Sequence, residues 1–217
     1  NAWTPNFFKS FDLKNYDKLN SDIEKIFSII LLFALLLMLF GKEVCLLVVD
    51  SRYYPALFLI PIISFGFIFY SIWDIYTRVF IYMKQTKWLT IIGVICGVIS
   101  VILNYIFMPQ YGYIVGALTF VMSVFLMSLL GYFVNFFILN QYVYPYKIYL
   151  QKILVLLFFF AIAYFTCEYN NLIFIYSVLI KFVIFILYAF YMLKFVFKKG
   201  FTLKDVILLK KELLGRN

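Results

Sequence analysis

Few side chains in this chain are able to do chemistry, so their setting carries weight. Lys181 lies near the middle of a long apolar run, with Ser177 and Tyr188 on its side of a helical cylinder. Asp74 and Arg78 stand at i and i+4, acid before base, the favourable order for a helical pair. Asn104 and Asn135 interrupt two further apolar stretches. A lysine or aspartate near the centre of a bilayer costs about 2.5 to 3.5 kcal/mol even on the lenient insertion scale. Lys181 is therefore open to two readings, a cation that holds an anionic group in the interior and a lysine whose stem snorkels to the interface. The Asp74/Arg78 spacing reads first as a structural pair. Histidine is absent, which removes Ser-His-Asp hydrolysis and histidine-ligated zinc. Cys45, Cys96 and Cys167 are far apart, each in or beside an apolar run, and read as small packed hydrophobes. No catalytic set, cofactor site or metal site is expected, and the chain does not read as an enzyme.

The elements that must position these residues follow from composition. Of 217 residues, 66% are hydrophobic, 23% aromatic and only 13% charged, with a mean hydropathy of +1.00. Soluble domains are about half apolar and a quarter charged, so this is an integral membrane chain. A membrane helix needs about 20 apolar residues, and the stretches between charges supply six candidates. They run from about Ile23 to Phe40, Pro55 to Phe80, Trp88 to Met108, Tyr113 to Leu139, Leu150 to Cys167 and Leu172 to Phe197. The third and fourth come from a single charge-free run between Lys87 and Lys147, far longer than one crossing uses. Its breaker cluster, Met108-Pro109-Gln110-Tyr111-Gly112, marks where the chain folds back. The runs are too long and too continuously apolar for barrel strands. The expected fold is all-α with six transmembrane helices, between a cytoplasmic segment (residues 1–25) and an amphipathic cytoplasmic tail (198–217).

Cationic residues set the orientation. Lys9, Lys14, Lys18 and Lys25 precede the first span; Arg78, Lys84 and Lys87 follow the second; Lys147 and Lys152 follow the fourth; seven more occupy the tail. The alternate loops hold only Lys42 and Arg52, so both ends are expected in the cytoplasm. The net charge of +9 then reflects topology and attraction to anionic lipid rather than a nucleic-acid surface. Asn stands at position 1 with no leader pattern after it, and the chain reads as processed or as a piece of a longer one.

Small and polar residues point to the inward faces. Thr90, Gly93, Gly97, Ser100 and Asn104 share a narrow face of the third span, which is expected to pack on protein. Gly116, Thr119, Ser123, Gly131 and Asn135 mark the fourth, and Ser64, Ser71, Asp74 and Arg78 the second, so these three helices should meet. Trp73, Trp88 and many tyrosines read as interfacial belt residues, or as a lining able to stack on sugar rings. Gly41 to Asp50 is too short to cross and suits a shallow surface helix, as does Thr202 to Leu214. Glu168 belongs to a solvated turn with Asn170 and Asn171.

Three stretches carry a family resemblance. Ala2-Trp3-Thr4-Pro5-Asn6-Phe7-Phe8 is followed by a charged segment from Asp12 to Lys25. Gly41-Lys42-Glu43 leads to Tyr53-Tyr54-Pro55-Ala56, without the glycine common near Asp50. The most specific is Leu103-Asn104-Tyr105-Ile106-Phe107-Met108-Pro109-Gln110-Tyr111-Gly112, continuing to Gly116-Ala117. Together they resemble the polysaccharide repeat-unit flippases (O-antigen and capsule type) of the multidrug/oligosaccharidyl-lipid/polysaccharide exporter superfamily. The resemblance implies that these six spans correspond to the last six of a fourteen-helix transporter of the bacterial cytoplasmic membrane. It further implies a substrate, an undecaprenyl-pyrophosphate-linked oligosaccharide moved between leaflets, with membrane lipids and the polysaccharide polymerase or export machinery as partners. Under that reading Lys181 or Arg78 supplies positive potential, Asn104, Asn135 and tyrosines such as Tyr188 contact glycan, and Asp74 titrates if ions are coupled. Three rivals stay open: a drug or small-solute exporter of the same superfamily, a membrane polysaccharide polymerase, and an assembly or scaffold subunit.

Overall fold

The structure, a computed structural model, describes residues 3–13, 16–141, 146–169 and 174–196. Seven α-helices occupy them: α1 (Trp3–Asp12), α2 (Tyr16–Val48), α3 (Leu59–Tyr82), α4 (Lys87–Tyr111), α5 (Ile114–Phe133), α6 (Tyr146–Ala163) and α7 (Phe174–Val196). Helices α2 to α7 are each long and apolar enough to cross a membrane. The chain is therefore all-α among the described residues and fits a multi-pass membrane protein. The expected surface helix at Thr202–Leu214, the Asn170–Asn171 turn and the Glu168 side chain lie outside the described residues.

The connections are short. Gly112, at φ 67, ends α4 in a backbone conformation that suits glycine, and α5 starts two residues later. Pro109 is accommodated in the last turn of α4 rather than ending it. The other side of the bundle is finished by α1, whose Phe7 and Phe11 are buried. Phe11 lies 4.5 Å from the Tyr82 ring, centroid to centroid, and the Tyr82 hydroxyl donates to Asp12. The bundle thus has an α1 end, where α3 finishes, and a far end. At the far end the Tyr113 hydroxyl, between α4 and α5, donates to the Pro55 carbonyl, between α2 and α3.

One sequence expectation fails at that far end. Residues 41–50 do not form a separate surface helix; α2 continues unbroken through Gly41 to Val48, and a short 3-10 turn follows at Ser51–Ala56. Gly41 marks a close crossing within that stretch. A Cβ there would stand 2.5 Å from Ile60 Cγ2, so the missing side chain lets α2 approach α3 closely.

Glycine also seats α5 on α3. A Cβ on Gly66 would meet Phe120 Cε1 at 2.6 Å, and one on Gly131 would meet Trp73 Cε3 at 3.0 Å. Trp73 is buried there, 7% exposed, and is a core residue instead of the belt residue its type suggested. Helix α5 lies between α3 and α4, so the three do not meet as equals; α4 is peripheral and attaches chiefly to α5. Its packed positions are Ile92 and Cys96. The glycine stripe beside them does not pack directly, since a Cβ on Gly93 or Gly97 would find nothing within 4 Å. The α6–α7 hairpin, finally, is anchored mainly on α2.

Candidate functional site

The apolar core forces its few charges into pairs, and the pairs locate the site. Lys181 Nζ lies 2.6 Å from Glu43 Oε1, with the side chains 5% and 14% exposed. Two facts of the fold bring them together. The continuous α2 carries Glu43 into the bundle at its last turns, and Lys181 falls in the second turn of α7. Lys181 is thus nearer the far end than the mid-span position its run suggested. Isolated, either charge would be expensive in an apolar interior; together, at hydrogen-bonding distance, they are tolerated.

A second pair mirrors it at the α1 end. Lys152 Nζ lies 3.2 Å from Glu24 Oε1 and donates to Ser28 Oγ at 2.8 Å. Ser28 in turn donates to the Glu24 carbonyl at 2.7 Å. Sequence reasoning placed Lys152 in a cytoplasmic loop and gave Glu24 and Glu43 no role. The available signal was the balance of charge between spans: an acid near each end of the first apolar segment, and one lysine near the start of each of the last two.

Close to that second pair, four tyrosines close a ring of contacts. Tyr76, Tyr132, Tyr146 and Tyr149 touch in sequence with centroid separations of 6.1, 5.5, 6.2 and 6.3 Å. Tyr76, Tyr146 and Tyr149 are buried. They meet tilted or edge-to-face and form core, rather than lining a space for sugars.

The other expected site residues stay dispersed. Arg78 reaches Asp74 Oδ2 through Nη2 at 2.6 Å and Nε at 3.2 Å, a pair within α3 that does not approach Lys181. Asn104 Nδ2 donates to Thr119 Oγ1 at 3.0 Å and to the Ser100 carbonyl at 2.9 Å, tying α4 to α5. Between these helices the glycine stripe borders a crevice of about 310 Å³. Asn135 is buried, donating to the Gly131 carbonyl at 2.8 Å, and its Oδ1 has no hydrogen-bond partner. Tyr188 is fully buried against Phe159, its hydroxyl also without one. Lys181 alone among the expected residues faces a cavity of notable character.

That cavity, about 320 Å³, lies at the far end between α2, α3, α6 and α7. Lys181 and Lys42 contribute to its wall, and among the described residues no carboxylate does. Met38, Pro61 and Phe160 belong both to this cavity and to a groove of about 720 Å³ running on between α3, α5 and α6. The groove is lined by apolar side chains alone, including Phe65, Phe69 and Phe125. An apolar cavity with two lysines in its wall, beside an apolar groove, suits an amphiphile with an anionic head. Among the described residues no three His, Cys, Asp or Glu side chains gather as metal ligands would. Comparison of the chain with protein-family models, with curated proteins and with solved structures finds no match.

Proposed function

We propose that the chain is part of a transporter that flips undecaprenyl-pyrophosphate-linked oligosaccharide repeat units across the bacterial cytoplasmic membrane for O-antigen or capsule synthesis. The observation that carries this reading is that the Lys181/Lys42 cavity and the apolar groove adjoin, sharing Met38, Pro61 and Phe160. The substrate poses a two-part problem: a charged, hydrated head must cross about 30 Å of hydrocarbon while its chain remains dissolved in it. Ammonium groups in a chamber of low dielectric replace water around the pyrophosphate, and the aromatic groove keeps the polyprenyl chain in an apolar setting. Work of this kind breaks no covalent bond. It needs no cofactor, only a path that opens to each side in turn. With the α1 end in the cytoplasm, as the distribution of lysines favours, the cavity lies toward the outer leaflet, where the head is released.

The test is made in cells whose glycan export depends on the complete protein. Lys181→Ala should leave lipid-linked repeat units on the inner leaflet and abolish surface glycan. Wild-type export by the variant would overturn the reading. Normal flipping with loss of chain extension would point to a polymerase, and normal glycan with lost solute efflux to a drug exporter.

A further inference from the structure

We propose that Glu43 is a resident counter-ion, holding Lys181 until the phosphate of an anionic lipid enters the cavity and takes its place. The inference rests on reading the cavity as a lipid site and concerns how that site is kept when empty and filled.

Three observations carry it. The cavity wall includes Lys181 and Lys42, whereas Glu43, which meets Lys181 at 2.6 Å, is not among its described lining residues. Glu43 is only half satisfied, because Oε1 meets Lys181 while the buried Oε2 has no hydrogen-bond partner. A carboxylate with one orphaned oxygen is easier to displace than one bonded at both. Finally, the cavity adjoins the groove at Met38, Pro61 and Phe160, so a head beside Lys181 has an apolar surface next to it for its tail. A phosphate offers more charge and more acceptor oxygens than a carboxylate, and it is placed to draw on both lysines. A free phosphate would use the lysines and leave the groove idle.

Glu43 is thus a competitor as well as a partner, and this separates the proposal from a purely structural role. The experiment uses the purified 217-residue chain in phosphatidylcholine nanodiscs with farnesyl phosphate as the probe, and farnesol and inorganic phosphate as controls. Binding is read by calorimetry and stability by thermal unfolding. Glu43→Gln should bind farnesyl phosphate at least tenfold more tightly than the unaltered chain, and Lys181→Gln at least tenfold more weakly. Both controls should bind at least tenfold more weakly than farnesyl phosphate. The exchange of Glu43→Lys with Lys181→Glu keeps an ion pair but turns a carboxylate toward the cavity; it should unfold within a few degrees of the unaltered chain and lose the lipid phosphate.

Equal or weaker binding by Glu43→Gln overturns the proposal, as does retained binding by the exchanged pair. Inorganic phosphate binding as tightly as farnesyl phosphate overturns it in favour of a free-anion site. If the lysine variants do not fold, the comparison of Glu43→Gln with the unaltered chain decides. Glycan export is scored separately in cells, so a chain that shows the Glu43 effect while the complete protein moves no glycan removes the transport reading and leaves the counter-ion in place.

Discussion

Glu24 and Glu43 lie on the same helix about 28 Å apart along its axis, and each is paired with a lysine from a different limb of the α6–α7 hairpin. The hydrocarbon core of a bilayer is about 30 Å thick, so the two pairs fall near its opposite edges. Charge is kept out of the oily middle, and the hairpin is fastened at both ends.

The fastening at the α1 end should be costly to cut from one side. Lys152→Ala leaves Glu24 buried without its cation and should destabilise the chain by about 3 to 5 kcal/mol. Replacing both charges, Lys152→Met with Glu24→Leu, should recover most of that loss, because the pair contributes little over well-packed apolar side chains. Chemical unfolding in a mild detergent measures both, and a double variant as unstable as the single one would refute the account.

The glycines divide into two classes with opposite expected signs. Gly66→Ala puts a methyl 2.6 Å from the Phe120 ring and should cost about 1 to 3 kcal/mol. Gly97→Ala meets nothing and should be neutral or stabilising by about 0.5 to 1 kcal/mol, since alanine loses less backbone entropy in a helix. Melting temperatures of the two variants side by side provide the check.

Acid should loosen the far-end turn. The Asp50 carboxylate accepts from the Arg52 backbone N–H at 3.0 Å and from its guanidinium at 3.1 Å, and these contacts hold it below the ordinary carboxylate range. A lowered folded-state value means that the stabilisation is complete above the unfolded value and is lost as pH falls through the folded one. The protection factor of the Arg52 amide, corrected for intrinsic exchange, should therefore stay flat through neutral pH and fall only in strong acid. A decline near neutrality would contradict this.

Topology follows from the short connections. Thr86→Cys, between α3 and α4 at the α1 end, should resist a membrane-impermeant thiol reagent in intact cells. Ser51→Cys and Tyr111→Cys, both exposed at the far end, should react with it. Labelling of Thr86→Cys with protection of the other two would invert the orientation, and a mixed pattern would break the six-span arrangement.

Much of the helical architecture was readable because charge is excluded from hydrocarbon, so every long charge-free run had to be a helix or break within itself. Within Met108 to Gly112 the break falls at the glycine, while the proline stays inside the last turn of α4. The reading failed where a charge was tolerated after all. Lys42 and Glu43 look like the end of a span, yet α2 runs past them because Glu43 is met by a lysine 138 positions away. No local pattern contains that partner. For the same reason Lys152 was counted with the loop cations, though it is 5% exposed and bonded to α2. Lys181 was recognisable as the odd charge in its run; that its carboxylate is not among the described lining residues of the cavity is a property of three-dimensional packing. The stripe at Gly93 and Gly97 misled in the other direction. Small residues permit close approach but do not compel it, and here α5 meets α4 along the neighbouring Ile92 and Cys96 edge.

A rigid hairpin tied to one rod at two points has two pivots. While both ties are closed neither can act as a fulcrum, so loss of one charge pair frees a rotation that the intact arrangement forbids. Arm lengths close to the bilayer thickness turn a small rotation at one face into a displacement of several ångströms at the other.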